Sequence, residues 1–408
     1  MIGPATSITP AAPVLSNEPT PRWLLPFQRV TRVGDHVREI DGLRFIAMGM
    51  VLLMHISHYV ALGATVQFTR PAKETALFYG LENGTFGVYL FFAISGFILA
   101  MPFARHRLCG AAPVSLRNYF LRRLTRLEPP LLVNLTLLSI LLVVVMGRSL
   151  QLVWPHLLAS CFYVHSLFFP NQGFWINSVT WSLEVEAQFY LTMPLWALLF
   201  GIRRFWLRQA VFFALIVAFG LEPWGLPKTS LPAQMEFFLV GFVLADWWIT
   251  FQGFPDRRRV YDAAAVVGWL ALLAGLYWQY SLPAFGALCP LLLLGTLALS
   301  FMGTGVSFCL RHWLPVTLGG MCYTLYLWHL LVIQTATRVT TKFITVPSFE
   351  TNYLLHTIVL VPLVVVFSAV LFVLVERPCM KWRPTWGAKK TARPVELATP
   401  MGVGAPSE

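Results

Sequence analysis

The stretch that decides the fold is "IDGLRFIAMGMVLLMHISHYV", Ile40–Val60, which is long and apolar enough to span a membrane. It nevertheless contains three ionisable residues, Arg44, His55 and His58. An arginine in lipid costs at least about 2.5–3.5 kcal/mol, so such side chains face the interior of a helix bundle or a wet cavity. The stretch therefore predicts a membrane helix with a polar inner face.

The composition of the whole chain indicates many such helices. Of its 408 residues, 57% are hydrophobic and only 12% are charged, whereas an average soluble protein has about 25% charged residues. Ten apolar stretches approach the roughly 20 residues that a membrane helix needs. They cover residues 43–63, 84–104, 129–147, 179–200, 207–222, 231–251, 262–281, 284–304, 313–335 and 353–375. The sequence predicts an all-α, polytopic membrane helix bundle of about ten transmembrane helices.

One further apolar stretch, residues 151–169, decides which side of the membrane each loop faces. Arginine clusters in short loops collect on the cytoplasmic side of membrane proteins. If residues 151–169 crossed the membrane, Arg203 and Arg204 would lie outside. If the stretch is re-entrant or interfacial, every arginine cluster lies inside. We therefore predict a re-entrant or interfacial segment and cytoplasmic termini.

The rest of the chain adds two tails and excludes some classes of protein. Residues 1–37 and 383–408 are predicted to be disordered cytoplasmic tails around a membrane domain, residues 38–382. The formal net charge of +12 comes from arginines clustered between apolar runs. This pattern indicates cytoplasmic loops, so we predict no nucleic-acid binding. The six cysteines show no CxxC spacing, so we predict neither a disulfide framework nor a metal site.

Arg44 and His55 are candidates for a functional site within the first span. They lie eleven residues apart, which brings both to the same helix face, roughly 16 Å apart along the axis. His58 is three residues further on and shares much of that face. The alternative is that His55 is an interior histidine that only bridges two helices. Ionisable residues within membrane spans favour the functional interpretation.

A second candidate site is the stretch "YFLRRLTRLEPP", Tyr119–Pro130. It places Arg122, Arg123 and Arg126 within about one and a half helical turns. Guanidinium groups match phosphate oxygens in a bidentate fashion, so the cluster suits a phosphorylated ligand. Anchoring to anionic lipid headgroups explains the same residues equally well.

A third candidate is "TWSLEVEAQFYL", Thr180–Leu191, with Glu184 and Glu186 at the start of the fourth predicted span, on its outer side. A carboxylate there can orient a histidine or bind a hydroxylated acceptor. The alternative is that the two acids only stabilise the start of a helix through its dipole. This alternative is stronger for Glu184 than for Glu186.

Several other polar residues interrupt apolar helices, and structural hydrogen bonding explains them at least as well as catalysis. They are Glu236, Asp246 and His329. In "FGVYLFFAISGFIL", Phe86–Leu99, the small pair Ser95–Gly96 predicts close helix packing and not a nucleophile.

Taken in order, these segments resemble the acyltransferase-3 family of bacterial integral membrane acyltransferases, over roughly residues 38–382. The matching motifs are Arg44 followed by His55, "GVYLFFAISGF" (Gly87–Phe97), "RLTR" (Arg123–Arg126), "WSLEVEAQFY" with Glu186, "YTLYLWH" (Tyr323–His329) and "VERP" (Val375–Pro378). Two positions depart from the pattern: Cys322 replaces a common serine, and Ala187 replaces a frequent second acid. The chain beyond residue 382 is too short for the SGNH hydrolase-like domain that the family often carries.

The resemblance implies an enzyme of the bacterial inner membrane that transfers an acyl group, usually acetyl, from cytoplasmic acyl-CoA to a hydroxyl. The expected acceptor is a cell-envelope or exported glycan, so the expected partners are membrane lipid and carbohydrate. His55 is expected to be the general base, with Glu186 beside it, and no metal is expected because the thioester is already activated. The expected contacts with acyl-CoA are Arg44, Arg122, Arg123 and Arg126, and those with the acceptor are His58, Trp181, Glu184 and His329.

Two alternatives remain open from the sequence. A transporter of a lipid-linked sugar or small solute would also have a ten-span bundle with interior charges. Against it, the arginine cluster lies at one membrane face and no paired inverted halves stand out. A membrane-bound O-acyltransferase of the unrelated type also uses a buried histidine, but the spacing of Arg44 and His55 argues against it.

Overall fold

The computed structural model describes residues 21–29, 37–170, 172–221, 225–254, 258–278 and 285–381, and these residues form helices without β-strands. In chain order the helices are α1 (Arg38–Gly63), α2 (Ala76–Glu82), α3 (Phe86–Cys109), α4 (Leu116–Val144), α5 (Leu150–Cys161), α6 (His165–Phe168), α7 (Thr180–Trp196), α8 (Phe205–Gly220), α9 (Met235–Thr250), α10 (Arg259–Tyr277), α11 (Phe285–Met302), α12 (Thr304–Arg311), α13 (Trp313–Gly320), α14 (Cys322–Thr340), α15 (Phe349–Leu371) and α16 (Arg377–Lys381). Short 3-10 helices are Arg22–Phe27, Ala72–Glu74, Asn83–Thr85, Ala197–Gly201 and Leu231–Gln234, and Phe372–Glu376 is π-helical.

Each of the ten predicted spans coincides with one or two of these helices. Among the described residues, six stretches are long and apolar enough to cross a membrane, or seven if α13 and α14 count as one bent span. The six are Arg38–Gly63, Ala76–Cys109, Leu116–Val144, Arg259–Tyr277, Phe285–Met302 and Phe349–Lys381. Helices α7, α8 and α9 have 17, 16 and 16 residues and are shorter than these six. The protein is a multi-pass helical membrane protein.

The span predicted at residues 313–335 is not one straight helix. Helices α13 and α14 meet at a bend of 73°. Gly319 in α13 approaches the backbone of Asp41 in α1 so closely that a Cβ atom there would lie 1.7 Å from the Asp41 carbonyl oxygen. Helix α13 is therefore packed directly against α1, while α14 starts in a new direction at Cys322.

The segment at residues 151–169 agrees with the prediction of a re-entrant or interfacial element. Helix α5 has 12 residues and rises about 18 Å, whereas a membrane helix must cross a hydrocarbon core of about 30 Å. Tyr163 then takes a positive φ of 55°, which ends the helix before α6 begins.

Part of the predicted amino-terminal tail is folded. Residues 21–29 contain a 3-10 helix in which Leu24 is buried, and the ring of Trp23 meets Trp313 of α13 edge to face at 6.3 Å. The prediction of disorder is wrong for these nine residues because their apolar side chains pack on the bundle. Apart from Val37, the remainder of both predicted tails lies outside the described residues.

Helices α3 and α9 pack in the core with their backbones in direct contact. A Cβ atom on Gly96 would lie 2.2 Å from the carbonyl oxygen of Phe238, and one on Gly241 would lie 2.2 Å from that of Ala93. The ring of Phe238 stacks on Phe189 of α7 at 4.0 Å, so three helices meet at this point. The predicted packing role of Gly96 is confirmed, because only glycine lets the two backbones touch.

Asp246 has a structural role. The Arg208 side chain of α8 donates to both carboxylate oxygens of Asp246 in α9, at 2.5 and 2.8 Å. Gln209 and Thr250 donate to the same carboxylate at 2.7 and 2.9 Å. The charge of Asp246 is thereby fully paired inside the bundle.

We expect Gly96→Ala to lower the free energy of unfolding by about 1–3 kcal/mol, because the added methyl group overpacks the contact between α3 and α9. The matched control is Gly295→Ala in α11, where nothing lies within 4 Å of the added Cβ. Thermal unfolding of both variants in detergent measures the difference. Equal melting temperatures for the two variants would contradict the close approach at Gly96.

Candidate active site

A cavity lies among α1, α3, α4, α7 and α14. Residues from all five helices form its polar wall. They are Arg44, Ser95, Arg123, Arg126, Ser182, Glu186, Tyr190, Cys322, Tyr323 and Tyr326. The cavity therefore brings together five of the segments that the sequence singled out, although these segments lie far apart along the chain.

Arg44 is held at the cavity wall by an acid on its own helix. Its Nη1 atom donates to Oδ1 of Asp41 at 2.5 Å, and both residues are buried. The guanidinium of Arg29, in the folded amino-terminal segment, lies 3.6 Å from the same oxygen. A buried charge is stable only when it is paired, so Asp41 stabilises both cations at this end of the bundle.

Arg123 and Arg126 face the cavity with no carboxylate within salt-bridge distance, although Glu186 attracts Arg123 and Glu376 attracts Arg126 from further away. The Arg123 guanidinium lies over the ring of Tyr190, 5.7 Å from its centroid. Arg126 is 8% exposed, and its Nε atom has no hydrogen-bond partner. Among the described residues, neither arginine forms a salt bridge. Guanidinium groups left open in this way are suited to bind an anion such as phosphate.

Arg122 does not belong to this group, contrary to the sequence prediction. Its side chain is exposed, and it does not line the cavity. Arg122 is turned by about 100° from Arg123 but by only about 40° from Arg126, so helical spacing alone does not separate it from the cavity arginines.

Glu186 lies on the cavity wall and accepts two hydrogen bonds there. The hydroxyl of Ser95 donates to its Oε1 atom at 2.5 Å, and the hydroxyl of Tyr190 donates to the same atom. The predicted contact between Glu186 and His55 is not present in the structure. Glu186 instead links α7 to α3 through the Ser95 hydroxyl. It lies close to Arg123, because the Tyr190 ring whose hydroxyl it holds is also the ring that Arg123 contacts.

The predicted position of Glu186 at the outer end of its span is wrong. Asn177, just before α7, donates to the Asn134 side chain of α4 at 2.9 Å and to the carbonyl oxygen of Leu327 in α14 at 2.9 Å. All three residues lie inside the bundle. Helix α7 therefore starts within the bundle and not at its rim, and this places Glu186 at the level of the arginines.

Glu184, which the sequence predicted to contact the acceptor, has a structural role in the bundle. Its carboxylate accepts the backbone N–H groups of His165 and Ser166, both at 3.0 Å, and also the Ser166 hydroxyl. It thereby caps the amino terminus of α6 and ties the re-entrant segment to α7.

His55 faces His329 across the interface between α1 and α14, with ring centroids 5.1 Å apart. His329 is buried, and its Nδ1 lies 2.7 Å from the carbonyl oxygen of Tyr326. Because a carbonyl oxygen can only accept, Nδ1 carries the proton and Nε2 carries a lone pair. That Nε2 atom has no hydrogen-bond partner.

His55 itself does not line the arginine cavity. It is half-buried. Tyr326 lies on the cavity wall, and its ring centroid is 5.7 Å from that of His329. Its hydroxyl is 2.7 Å from the Ser182 hydroxyl. Tyr326 therefore separates the arginines from the two histidines.

Two further predicted residues are not brought to the cavity. His58 is exposed, and its Nδ1 atom lies 3.9 Å from the Glu82 carboxylate. Trp181 is half-buried and meets the ring of Phe92 edge to face at 6.3 Å.

The sequence did not identify several residues that shape the site. Ser95 was assigned to packing, and Tyr190 was not singled out. Glu376, in the "VERP" motif, is buried and accepts the backbone N–H of Thr324 at 3.2 Å and its hydroxyl at 2.5 Å. It thus fixes the first turn of α14 beside the cavity. In the sequence, only its place in the "VERP" motif indicated that Glu376 matters for the site.

Comparison with known proteins identifies the family. The family model described as "Acyltransferase domain", acyltransferase-3, matches residues 37–373 of the chain. The chain belongs to the acyltransferase-3 family. It is therefore an enzyme that transfers acyl groups.

Curated relatives carry names in keeping with this family. The chain is 28% identical to acyltransferase MdmB of Streptomyces mycarofaciens, over 72% of this chain and 79% of that protein. It is 24% identical to nodulation protein 10 of Rhizobium leguminosarum bv. viciae, over 88% and 97%. A Staphylococcus aureus (strain COL) protein provisionally named an O-acetyltransferase is 23% identical, and the chain spans 51% of its length. No solved structure matches the chain.

Within the described residues, no three His, Cys, Asp or Glu side chains form a group that could hold a metal ion. All six cysteines are free in the structure. The absence of a metal from the reaction stays a prediction from the sequence.

We expect Glu184→Ala to destabilise the protein by about 1–3 kcal/mol, because buried donors of α6 lose their acceptor. A double-mutant cycle with Ser166→Ala measures the coupling, which should exceed about 0.5 kcal/mol because the two side chains are in contact. Glu186→Gln is the control, and its melting temperature should change less. Additive effects of Glu184→Ala and Ser166→Ala would contradict the capping role.

Proposed function

We propose that this protein transfers an acyl group, most commonly acetyl, from acyl-CoA to a hydroxyl of a cell-envelope or exported glycan, with His55 as the general base. The observation that carries the proposal is a cavity with three arginines, two of them without a salt bridge among the described residues, beside the pair of half-buried His55 and buried His329. Acyl-CoA carries phosphates at one end and a thioester at the other, which match the arginine cavity and the histidine pair.

The donor end of the site is the arginine cavity. We assign the phosphates of acyl-CoA to Arg123 and Arg126, with Arg44 completing the cluster from α1. The unpartnered Nε atom of Arg126 supports this assignment, because a buried donor without a partner costs about 1–3 kcal/mol unless a ligand satisfies it. Arg29 reinforces the positive potential through its shared partner Asp41.

Glu186 belongs to the donor end in this proposal. It holds the Tyr190 hydroxyl, and the Tyr190 ring in turn lies against the Arg123 guanidinium. Its charge also offsets part of the positive charge around the cavity when no donor is bound. Glu186 is therefore assigned as a positioning residue, whereas the sequence assigned it to catalysis.

The chemical step is assigned to His55. As a neutral imidazole it takes the proton of the acceptor hydroxyl while that oxygen attacks the thioester carbonyl. The new C–O bond forms, the C–S bond breaks, and the proton passes to the sulfur of CoA. The thioester is already activated, so the proposed step uses no metal.

His329 is assigned to support His55. The bond from its Nδ1 to the Tyr326 carbonyl oxygen leaves a lone pair on Nε2. A lone pair near His55 stabilises the imidazolium that forms when His55 accepts a proton. His329 is thus a positioning residue, whereas the sequence expected it to contact the acceptor.

We place the protein in the bacterial inner membrane with the arginine end and both termini facing the cytoplasm, where acyl-CoA is made. The names of the Streptomyces and Staphylococcus relatives support acyl transfer and O-acetylation. The transporter alternative is less well supported, because the family match favours chemistry. Release of free thiol from acetyl-CoA by the purified protein distinguishes the two, since transport releases none.

We expect His55→Gln to reduce acyl transfer by about 10²–10⁴-fold, because the general base is lost. The measurement is incorporation of radiolabel from acetyl-CoA into base-labile esters of envelope carbohydrate, in membranes that contain the variant. His58→Gln is the matched control, since His58 is exposed on the same helix. Wild-type transfer by His55→Gln would remove the proposed base.

We expect Arg126→Gln to raise the KM for acetyl-CoA about tenfold or more with a smaller effect on kcat, because a contact with phosphate is lost. Preference for acetyl-CoA over its 3′-dephospho form should also change in this variant or in Arg123→Gln. Arg122→Gln is the control on the same helix. If neither cavity variant alters the dependence on donor, the arginines anchor lipid headgroups instead.

A further inference from the structure

A second cavity lies at the other end of α1 and α14. Arg44 and Cys322, which line the arginine cavity, lie near the starts of these helices. Gly63 and Thr341, which line the second cavity, lie at or just beyond their ends. The nineteen residues from Arg44 to Gly63 correspond to a rise of roughly 28 Å, so the two cavities approach opposite faces of the membrane.

The second cavity carries an unpaired pair of cations. Arg338 and Lys342 both line it and are both exposed; Arg338 lies in the last turn of α14, and Lys342 lies just beyond its end. Among the described residues, neither forms a salt bridge. Because they lie at the end opposite the arginine cluster, the rule that places cations on the cytoplasmic side does not explain them.

Hydrogen-bonding groups lie beside these cations. The Nε2 atom of Gln334 donates to the Tyr59 hydroxyl at 2.5 Å, which leaves the Gln334 carbonyl oxygen free to accept and the Tyr59 hydroxyl free to donate. Thr337 also lines the cavity and is 3% exposed, and its buried hydroxyl has no hydrogen-bond partner. An aromatic ring, an amide and a hydroxyl beside cations suit a hydroxylated ligand that carries negative charge.

The cavity adjoins the proposed catalytic pair. Tyr59 follows His55 by four residues on α1, a rise of about 6 Å on the same helix face. Gln334 follows His329 by five residues on α14, a rise of about 7.5 Å. The Tyr59–Gln334 hydrogen bond therefore joins the same two helices as the histidine pair, roughly one turn further along.

We propose that this second cavity binds the acceptor, and that the acceptor is a carbohydrate with an anionic group, either a carboxylate or a phosphate. Arg338 and Lys342 bind the anionic group, while Gln334, Thr337 and Tyr59 bind hydroxyls. A neighbouring hydroxyl of the sugar then points along α1 toward His55. This inference rests on the proposed function, because that function is what makes the bound carbohydrate an acyl acceptor. The chemistry of the ligand can still be tested by binding alone, without turnover.

The test is direct binding of small probes to the purified protein in nanodiscs of phosphatidylcholine, followed by saturation-transfer NMR. The probes are glucuronic acid, glucose 1-phosphate, glucose and inorganic phosphate. We expect the two acidic sugars to bind at least about tenfold more tightly than glucose or phosphate alone. Equal binding of glucose and glucuronic acid would overturn the proposal. Phosphate binding as tight as that of glucose 1-phosphate would reduce the cavity to a headgroup site and also overturn it.

Variants localise the binding. Arg338→Gln with Lys342→Gln should abolish the preference for acidic sugars and leave acetyl-CoA binding unchanged. Thr337→Val, which keeps both charges and nearly the same shape, should weaken all sugar probes several-fold. The control is Arg70→Gln with Lys73→Gln, which removes the same charge from exposed residues that do not line the cavity. Unchanged preference in the Arg338 and Lys342 variant would overturn the assignment.

The two proposals fail in different ways. If acidic sugars bind and the Arg338 and Lys342 variant loses them, but no thiol is released from acetyl-CoA, acyl transfer from CoA is wrong and the ligand chemistry stands. If the protein transfers acetyl groups to envelope carbohydrate while the acidic probes do not bind, the function stands and the acceptor site is wrong.

Discussion

A guanidinium group cannot rest in hydrocarbon, and this constraint organises the bundle. The protein satisfies it in two ways. Arg208 is closed off by a bidentate ion pair with Asp246, which fastens α8 to α9. Arg123 and Arg126 are turned into a shared cavity without such a partner. The difference between a paired and an open guanidinium separates the structural part of the membrane domain from the part that we assign to ligand binding.

Much of this arrangement could be predicted from local sequence. The rarity of charge within apolar runs identified the helices, and the cost of burying Arg44 required an interior cavity. Helical periodicity does not explain the one arginine that was misplaced. Arg122 and Arg126 are four residues apart, which brings them within about 40° of each other around the axis of α4, so their spacing alone groups them. Which of the arginines lines the cavity is set by the packing of neighbouring helices.

Contacts between distant segments could not be predicted in the same way. The position of Glu186 along the bundle depends on the hydrogen bonds of Asn177 with Asn134 and Leu327. These two residues lie 43 and 150 positions away from Asn177. The role of Glu184 depends on the backbone of a four-residue helix that no periodicity reveals. Counting apolar residues gives the length of a span, but it does not show where a helix starts within the bundle or that α13 and α14 are bent.

The bend between α13 and α14 has a mechanical consequence. Helix α13 is fixed to α1 through Gly319, whereas α14 carries Tyr326, which closes the way from the cavity to the histidines. The Tyr326 hydroxyl is held by the Ser182 hydroxyl and the Val179 carbonyl oxygen, at 2.7 and 3.2 Å. Helix α14 is held in its new direction at the first turn by Glu376, and one turn further along by Asn134 and Asn177, which both donate to the Leu327 carbonyl oxygen. The bend is therefore braced from neighbouring helices, and it sets Tyr326 as a partition between the arginines and the histidine pair.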